Sequence, residues 1–330
     1  MSQNILVTGG LGFIGHRVTC FLEELEHTVS IIDTKTNYGI VPPEEINFLM
    51  AERSKSITSE SIFNNDIVDS VGINALFTGK KFAGKNVDTI VHMASFPRQK
   101  VVNSNPQYGS EVMIGGLLNL LELAVKHNVK KFIYISSSMV YGDFNDQVTE
   151  SAVCNPTGTY GILKLTGESL VKEYTRKHGI EHVIIRPSAV YGPLDVEDRV
   201  VSKFLISAMK GEQLRVNGAS EMLDFTYVDD IARGIVQATI ATQPLNNTYN
   251  LTRSRSRSLI EAAELAVQLA GAGVIQVNQR DAAFPSRGAL NTDAAQKDFG
   301  YTAWTDIEVG FERYYEWLNN SVFWNKKTVQ

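Results

Sequence analysis

Only two cysteines occur in 330 residues, Cys20 and Cys154, and they lie far apart in the chain. That scarcity argues against a disulfide framework and against a cysteine-built metal centre, and it fits a reducing compartment. No metal site is expected. An excess of positive charge is missing too: 31 lysines and arginines against 36 aspartates and glutamates leave −5. No broad basic face for nucleic acid follows from that balance. No uninterrupted apolar stretch has the length of a bilayer span. The opening Met1-Ser2-Gln3-Asn4 has neither the basic segment nor the apolar core of an export signal. A cytoplasmic protein with no membrane contact is therefore expected. The chain shows no internal repeat and no low-complexity linker. Hydrophobic residues make up 43% and charged ones 20%, proportions of a globular protein with one or two domains.

Glycine, by contrast, is concentrated near the N-terminus. Gly9-Gly10-Leu11-Gly12-Phe13-Ile14-Gly15 follows the apolar run Ile5-Leu6-Val7 and opens an amphipathic stretch reaching Leu25. The spacing G-x-x-G-x-x-G belongs to a loop where a strand turns into a helix. Gly9 permits the tight turn, Gly12 lets backbone approach a pyrophosphate, and Gly15 lets helix and sheet pack closely. The helix N-terminus then offers free N–H groups and a positive dipole to phosphate. A second apolar strand, Val29-Ser30-Ile31-Ile32, ends in Asp33, placed to hold ribose hydroxyls.

Further apolar runs alternate with helical patterns: Val87–His92, Lys131–Ile135 and His182–Arg186. Such continuous runs indicate a parallel sheet covered on both faces. The expected fold class is α/β, a Rossmann-type doubly wound parallel sheet with a smaller mixed α/β C-terminal lobe. Helices are predicted over 106–126, 158–177, 197–210 and 259–270. Segment 35–56 reads as an insertion with a helix beginning near Pro43. Residues 1–186 form the nucleotide-binding unit. Residues 187–330 form mainly a substrate lobe, with some chain returning to the main sheet. The run Arg253–Ser258 reads as a polar turn capping the next helix rather than as a nucleic-acid tail.

Tyr160-Gly161-Ile162-Leu163-Lys164 places a phenol and an ammonium on one helix face. For that phenol to act as a base near neutrality its pKa must fall by roughly 3 units, about 4 kcal/mol. A neighbouring cation favours the phenolate. Ser136-Ser137-Ser138, at a predicted strand end, supplies hydroxyls for a substrate oxygen.

These motifs, with Asp66-Ile67, His92-Met93-Ala94, Ser138-Met139-Val140-Tyr141-Gly142, Arg186–Pro193 and Asp224–Asp230, make the chain resemble the extended short-chain dehydrogenase/reductases, in the nucleotide-sugar epimerase/dehydratase branch. The resemblance implies NAD as cofactor. It assigns Gly9, Gly12 and Gly15 to the pyrophosphate together with the Phe13 and Ile14 amides, Asp33 to the ribose, and Asp66 and Ile67 to the adenine. Met93, Ala94, Ser95 and Pro187 would line the cofactor. Tyr160 would be the acid/base, Lys164 would hold the nicotinamide ribose, and the catalytic hydroxyl would fall on Ser137. Arg186 and His92 are read as structural. Substrate contacts are expected from Arg98, Ser138, Met139, Ser188, Ala189, Phe204 and Arg287, and a homodimer is expected through helices 106–126 and 158–177.

Departures from the family pattern bear on the reaction. Dehydratases of this branch carry an acidic pair after the catalytic hydroxyl and decarboxylases a glutamate, whereas this chain has Ser138-Met139. Ala189 and Leu223 stand where many members have diphosphate-binding Asn and Arg. The expectation is a nucleotide-sugar 4-epimerase working through a transient 4-keto sugar. A keto-sugar reductase or dehydrogenase, a dehydratase, and a cofactor-binding regulator without turnover remain as alternatives. Asp33 predicts NAD over NADP, because its carboxylate repels a 2′-phosphate.

Overall fold

The apolar runs become buried parallel strands: β1 (Asn4–Thr8), β2 (Thr28–Ile32), β3 (Ile62–Phe63), β4 (Thr89–His92), β5 (Lys131–Ile135) and β6 (Glu181–Pro187). A seventh, Asn247–Leu251, returns from the C-terminal half to lie against β6. In this computed structural model the sheet runs Asn247–Leu251, β6, β5, β4, β1, β2, β3. The residues described are 2–36, 39, 41–58, 61–79, 81–82, 86–96, 99–282 and 284–328. Thr8, His92 and Tyr134 stand level across β1, β4 and β5, so the carboxyl ends of these strands form one edge. The strand order reverses between β1 and β4, and ligands of such sheets bind in the crevice at that reversal.

Side chains alternate between two cores, as the two-residue period of a strand requires. Leu6, Ile90, Phe132 and Ile184 pack with Leu117, Leu120 and Leu121 on one face. Ile5, Val7, Val91, Ile133 and Ile185 pack on the other face with Val18 and Leu22 of helix α1 (Phe13–Glu24) and with Ile231 and Ile235. The insertion after β2 carries helix α2 (Pro43–Lys55), and helix α3 (Ser70–Thr78) follows β3. The helical run over 106–126 is not uniform: a π turn at Glu111–Gly115 separates Pro106–Ser110 from Gly116–Lys126. A wider turn of this kind leaves no mark in apolar periodicity. By length and composition alone, Pro106–Lys126 is also apolar enough to cross a membrane, but half of its most apolar window is buried inside this fold.

The C-terminal lobe has its own core, with Tyr191, Leu205, Phe225, Phe311, Tyr314 and Trp324 at its centre. Its helices include Val200–Met209, Leu259–Ala270 and Ile307–Asn320, beside a parallel pair formed by Gln213–Asn217 and Val274–Asn278. The arginine–serine run is a capping turn, as expected. Ser258 caps Leu259–Ala270 in a reciprocal box with Glu261, while Arg253 and Arg257 pair with Asp306 and Glu308.

Gly15 shows how tightly α1 sits on the loop before it. A Cβ there would lie 2.1 Å from the Gly9 carbonyl oxygen, whereas one on Gly115 would meet nothing within 4 Å. Gly15→Ala should therefore destabilise the fold by about 1–3 kcal/mol, and Gly115→Ala should be neutral or slightly stabilising. Urea denaturation of the two variants checks this, and equal effects would refute it.

Candidate active site

At the crevice, the glycine-rich loop takes the conformation its composition permits. Gly9 adopts φ +72°, and its N–H donates to the Ile32 carbonyl at 2.8 Å. A Cβ on Gly9 would lie 2.8 Å from the Ala94 amide nitrogen, so no other residue fits between β1 and β4 there. Gly12 is the N-cap of α1, and no side chain caps it. The first amides of the helix thus face the cleft without an intrahelical acceptor. Gly9, Gly12, Phe13, Asp33, Asp66, Ile67, Met93, Ala94 and Ser95 line one cleft with about 1070 Å³ of open space. The Asp33 carboxylate is held at the end of β2 by the Leu11 amide at 3.0 Å and the Lys35 amide at 2.8 Å. A cradle that a Cβ would fill, a free helix terminus and a carboxylate at the second strand end fit a dinucleotide. The Ile14 side chain packs into the core, which leaves its amide at the first turn of α1, and Gly15 sits tightly against the Gly9 carbonyl.

The serine run lies at the end of β5, and its three hydroxyls have different partners. Ser136 donates to Glu168 Oε1 at 2.6 Å, away from the cleft. Ser138 donates to Ser188 at 3.2 Å. The Ser137 hydroxyl lies near enough to the Tyr160 phenol to pull its pKa down, and it accepts the Met139 amide at 3.2 Å. Tyr160 and Lys164 share one face of the helix Gly158–His178, with the Lys164 Nζ 5.9 Å from the Tyr160 ring centre. The Lys164 ammonium donates to the Ile135 carbonyl at 2.8 Å.

Burial drives the electrostatics of this pair. It raises the Tyr160 pKa above that of a free phenol, while the Arg199 charge and the Ser137 contact pull it back down. Burial lowers Lys164 to about 7, with Glu168 opposing. Lys164 therefore does not supply the main downward pull on the phenol in this structure. His92 donates or accepts at Thr8 Oγ1 (2.8 Å), and burial holds it neutral with a pKa of about 3. It is packed beneath the site rather than presented to it.

Behind Ser136 runs a buried polar network. Glu168 pairs with Arg186 at 2.6 Å, Arg186 donates to the Tyr141 hydroxyl at 2.8 Å, and Tyr141 donates to Asn250 at 2.8 Å.

The residues expected to touch substrate are only partly brought together. Arg287 reaches the site: its Nη1 lies 3.9 Å from Met139 Sδ, two residues beyond Ser137. Burial lowers its pKa to about 10, and its buried Nε has no partner among the described residues. The segment carrying it is pinned to the loop after β5 by Phe144 N–H to Ser286 O (2.9 Å) and Ser286 N–H to Asp143 (2.7 Å). Ser188 and Met139 are buried at the same strand ends, and Pro187 closes β6. Ala189 has φ +36°, a region where asparagine sits more easily than alanine. Phe204 is packed into the lobe core at 3% exposure and presents no free surface to a ligand. Arg98 lies outside the described residues.

Among the cleft residues that escaped the sequence reading are the charged ones Arg53, Asp195 and Arg199. The spacing of Ile46, Met50 and Arg53 along one helical face was the available signal for the first.

The sequence profile of the NAD dependent epimerase/dehydratase family matches residues 5–252. A protein described as an uncharacterized UDP-glucose epimerase, YtcB, of Bacillus subtilis is 26% identical over 326 residues, 96% of this chain and 98% of that one. dTDP-D-glucose 4,6-dehydratases are also among the relatives. The Thermotoga maritima UDP-glucose 4-epimerase solved with UDP-glucose superposes with TM-score 0.84 at 24% identity, covering 99% of both chains. The Bacillus cereus UDP-glucuronic acid 4-epimerase, solved with UDP-glucuronic acid and NAD, superposes with TM-score 0.85 at 24% identity, covering 95% of this chain and 98% of that one. At such identity these structures establish the shared fold.

The shifted lysine gives a testable pH dependence. The unfolded chain keeps Lys164 protonated up to about 10.5, while the folded one releases that proton near 7. Between these values the unfolded state binds more protons, so stability should rise with pH, by at most about 1.4 kcal/mol per unit. Lys164→Met should lack this rise in urea titrations at pH 7 to 10. An identical slope in the two proteins would refute the assignment.

Proposed function

Since the chain belongs to the NAD-dependent epimerase/dehydratase family, we propose that it is an NAD-dependent epimerase of a nucleotide-activated sugar, inverting C4 through a transient 4-keto sugar. The observation that carries this reading is the grouping of Tyr160 and Lys164 on one helix face with Ser137 at the end of β5, with Met139 following instead of a carboxylate. When bound, NAD would supply the hydride acceptor and donor for the sugar carbon. As phenolate, the form that positive charge such as that of Arg199 favours, Tyr160 accepts the C4 hydroxyl proton at its oxygen and gives it back. Ser137 holds the sugar oxygen as it passes through a carbonyl. Lys164 holds the nicotinamide ribose. Gly9, Gly12 and the Phe13 amide carry the pyrophosphate, Asp33 the adenosine ribose, and Asp66 and Ile67 the adenine. Arg287 is the diphosphate ligand, which accounts for a buried guanidinium with an unpartnered Nε beside the catalytic end.

Elimination of water requires a second proton carrier beside the acid/base, and the Met139 thioether carries no proton. The relatives named for UDP-glucose and UDP-glucuronate epimerisation support the same reading, and UDP-hexoses are the first substrates to test. We also infer a homodimer through helices 106–126 and 158–177 and a cytoplasmic location. Ile162, 51% exposed on the outer side of the second helix, supports the pairing, and a monomer by light scattering at micromolar concentration would refute it.

NMR of UDP-sugars incubated with enzyme and catalytic NAD should show C4 epimers interconverting, with no steady NADH absorbance. Stoichiometric NADH would instead establish a dehydrogenase, and a 4-keto-6-deoxy product a dehydratase. Tyr160→Phe should cost about 10²–10⁴ in rate while NAD still binds. Ser137→Ala should lose more rate than Ser136→Ala, and the reverse order would overturn the assignment of the serine. Arg287→Ala should raise KM more than it lowers kcat.

A further inference from the structure

Helix α2 belongs to the insertion after β2, and three of its sides make different contacts. Ile46, Met50 and Arg53 line the dinucleotide cleft together with Gly9, Gly12 and Phe13 of the glycine-rich loop. Phe48 stacks on Phe323 at 4.6 Å and lies 6.4 Å from the Trp317 ring, so the same helix also touches the C-terminal lobe. The third contact is polar. Arg53, 4% exposed, donates from Nη1 to the Leu11 carbonyl at 3.3 Å and from Nη2 to the Leu194 carbonyl at 2.6 Å. Glu45, fully buried, accepts the Glu197 amide at 2.7 Å. Leu11 sits inside the glycine-rich loop. Leu194 and Glu197 bracket Asp195 and Val196, which line the cleft along with Arg199.

One planar guanidinium therefore spans from the glycine-rich loop to the 194–197 segment, and a second residue of the same helix fastens that segment from the other end. An arginine is an expensive choice for mere packing at this depth. Its Nε has no partner among the described residues, burial pulls its pKa down to about 10, and Asp195, Asp33 and Glu45 supply the opposing charge. His16, behind the same loop, adds no charge, because burial and Arg53 hold it neutral. A lone hydrophobe would fill the space, but it would not tie two carbonyls from separate segments to one plane.

We propose that α2 is a clasp for the dinucleotide and that Arg53 is its positioning residue, holding the glycine-rich loop and the 194–197 segment at the separation bound NAD requires. This rests on the NAD reading above. Loss of the clasp should loosen the cofactor without touching the proton-transfer residues. Retention matters for an epimerase, since release of reduced cofactor would strand the keto sugar.

Arg53→Lys separates bridging from charge. An ammonium keeps the charge but lacks the planar fork that reaches both carbonyls. Calorimetry should show its NAD dissociation constant raised about tenfold or more, the scale of one lost charged hydrogen bond. The melting temperature of the ligand-free variant should fall less than its melting temperature with saturating NAD, because the lost bridge weakens cofactor binding as well as the fold. An NAD affinity within threefold of the parent overturns the proposal, as does a loss of affinity accompanied by an equal loss of ligand-free stability. A measurement on the unmodified chain guards against a variant that fails to fold. NAD should slow amide hydrogen exchange in residues 43–55 and 194–199 together, and unchanged exchange in either segment overturns the clasp. A parent protein that does not bind NAD would instead refute the proposed function itself, so the two failures are distinguishable.

Discussion

Glu168 and Arg186 meet at 2.6 Å where neither side chain is more than 3% exposed to water. Removing either partner alone would leave an uncompensated buried charge, which costs about 3–5 kcal/mol. Their pairing therefore fixes three elements at once. Glu168 comes from the helix Gly158–His178, Arg186 from β6, and Ser136 joins from the end of β5 through the same carboxylate. With Ser136 turned inward, the next residue of an extended chain must point the other way. That residue is Ser137, and the helix that supplies Glu168 also supplies Tyr160 and Lys164. The face proposed as catalytic follows from a structural ion pair two turns further along the helix.

The arrangement has an electrostatic consequence for the lysine. Lys164 is one helical turn from Glu168, yet that carboxylate gives both oxygens to Arg186. The ammonium is left with the Ile135 carbonyl and the face of the Tyr134 ring, 5.4 Å away. Burial then outweighs the remaining attraction and pulls its pKa toward neutrality. A lysine in that state can lose a proton at modest cost. The phenol beside it stays protonated until positive charge approaches from the cleft side, where Arg199 already acts in that direction.

Much of this was legible in the residues. Runs such as Lys131–Ile135 are apolar on both faces, and only a sheet covered on both sides buries such a strand. The glycine spacing was legible because each position answers a steric demand: Gly9 meets Ala94, and Gly15 meets Gly9. Capping at Ser258 was legible from its serine and the glutamate three residues on. The π turn at Glu111–Gly115 was not, because one wider turn barely disturbs an apolar stripe. Arg53 and Arg199 were not, because a charge on an amphipathic helix or beside a helix start looks like solvent-facing surface until the partner elements are known. Phe204 was expected near substrate, but it is buried at 3% exposure in the lobe core that also holds Tyr191 and Phe311. A sequence position beside a motif does not fix the direction of its side chain.

The chemistry proposed for the site depends as much on Met139 as on Tyr160. Hydride transfer needs one acid/base in line with one hydroxyl, and the site offers Tyr160 and Ser137. Every further outcome known to this kind of site, loss of water or of a carboxyl group, needs another group that can carry a proton or bear a charge at the sugar. At that place stands a thioether, 6% exposed, with a guanidinium against its sulfur. The guanidinium attracts anions and keeps its proton near neutral pH, even with its pKa lowered to about 10. On the proposed reading, a 4-keto sugar formed there meets no second proton carrier in Met139 or Arg287. On that reading the sugar turns, accepts the hydride on its other face and recovers its proton from Tyr160, and the centre is inverted.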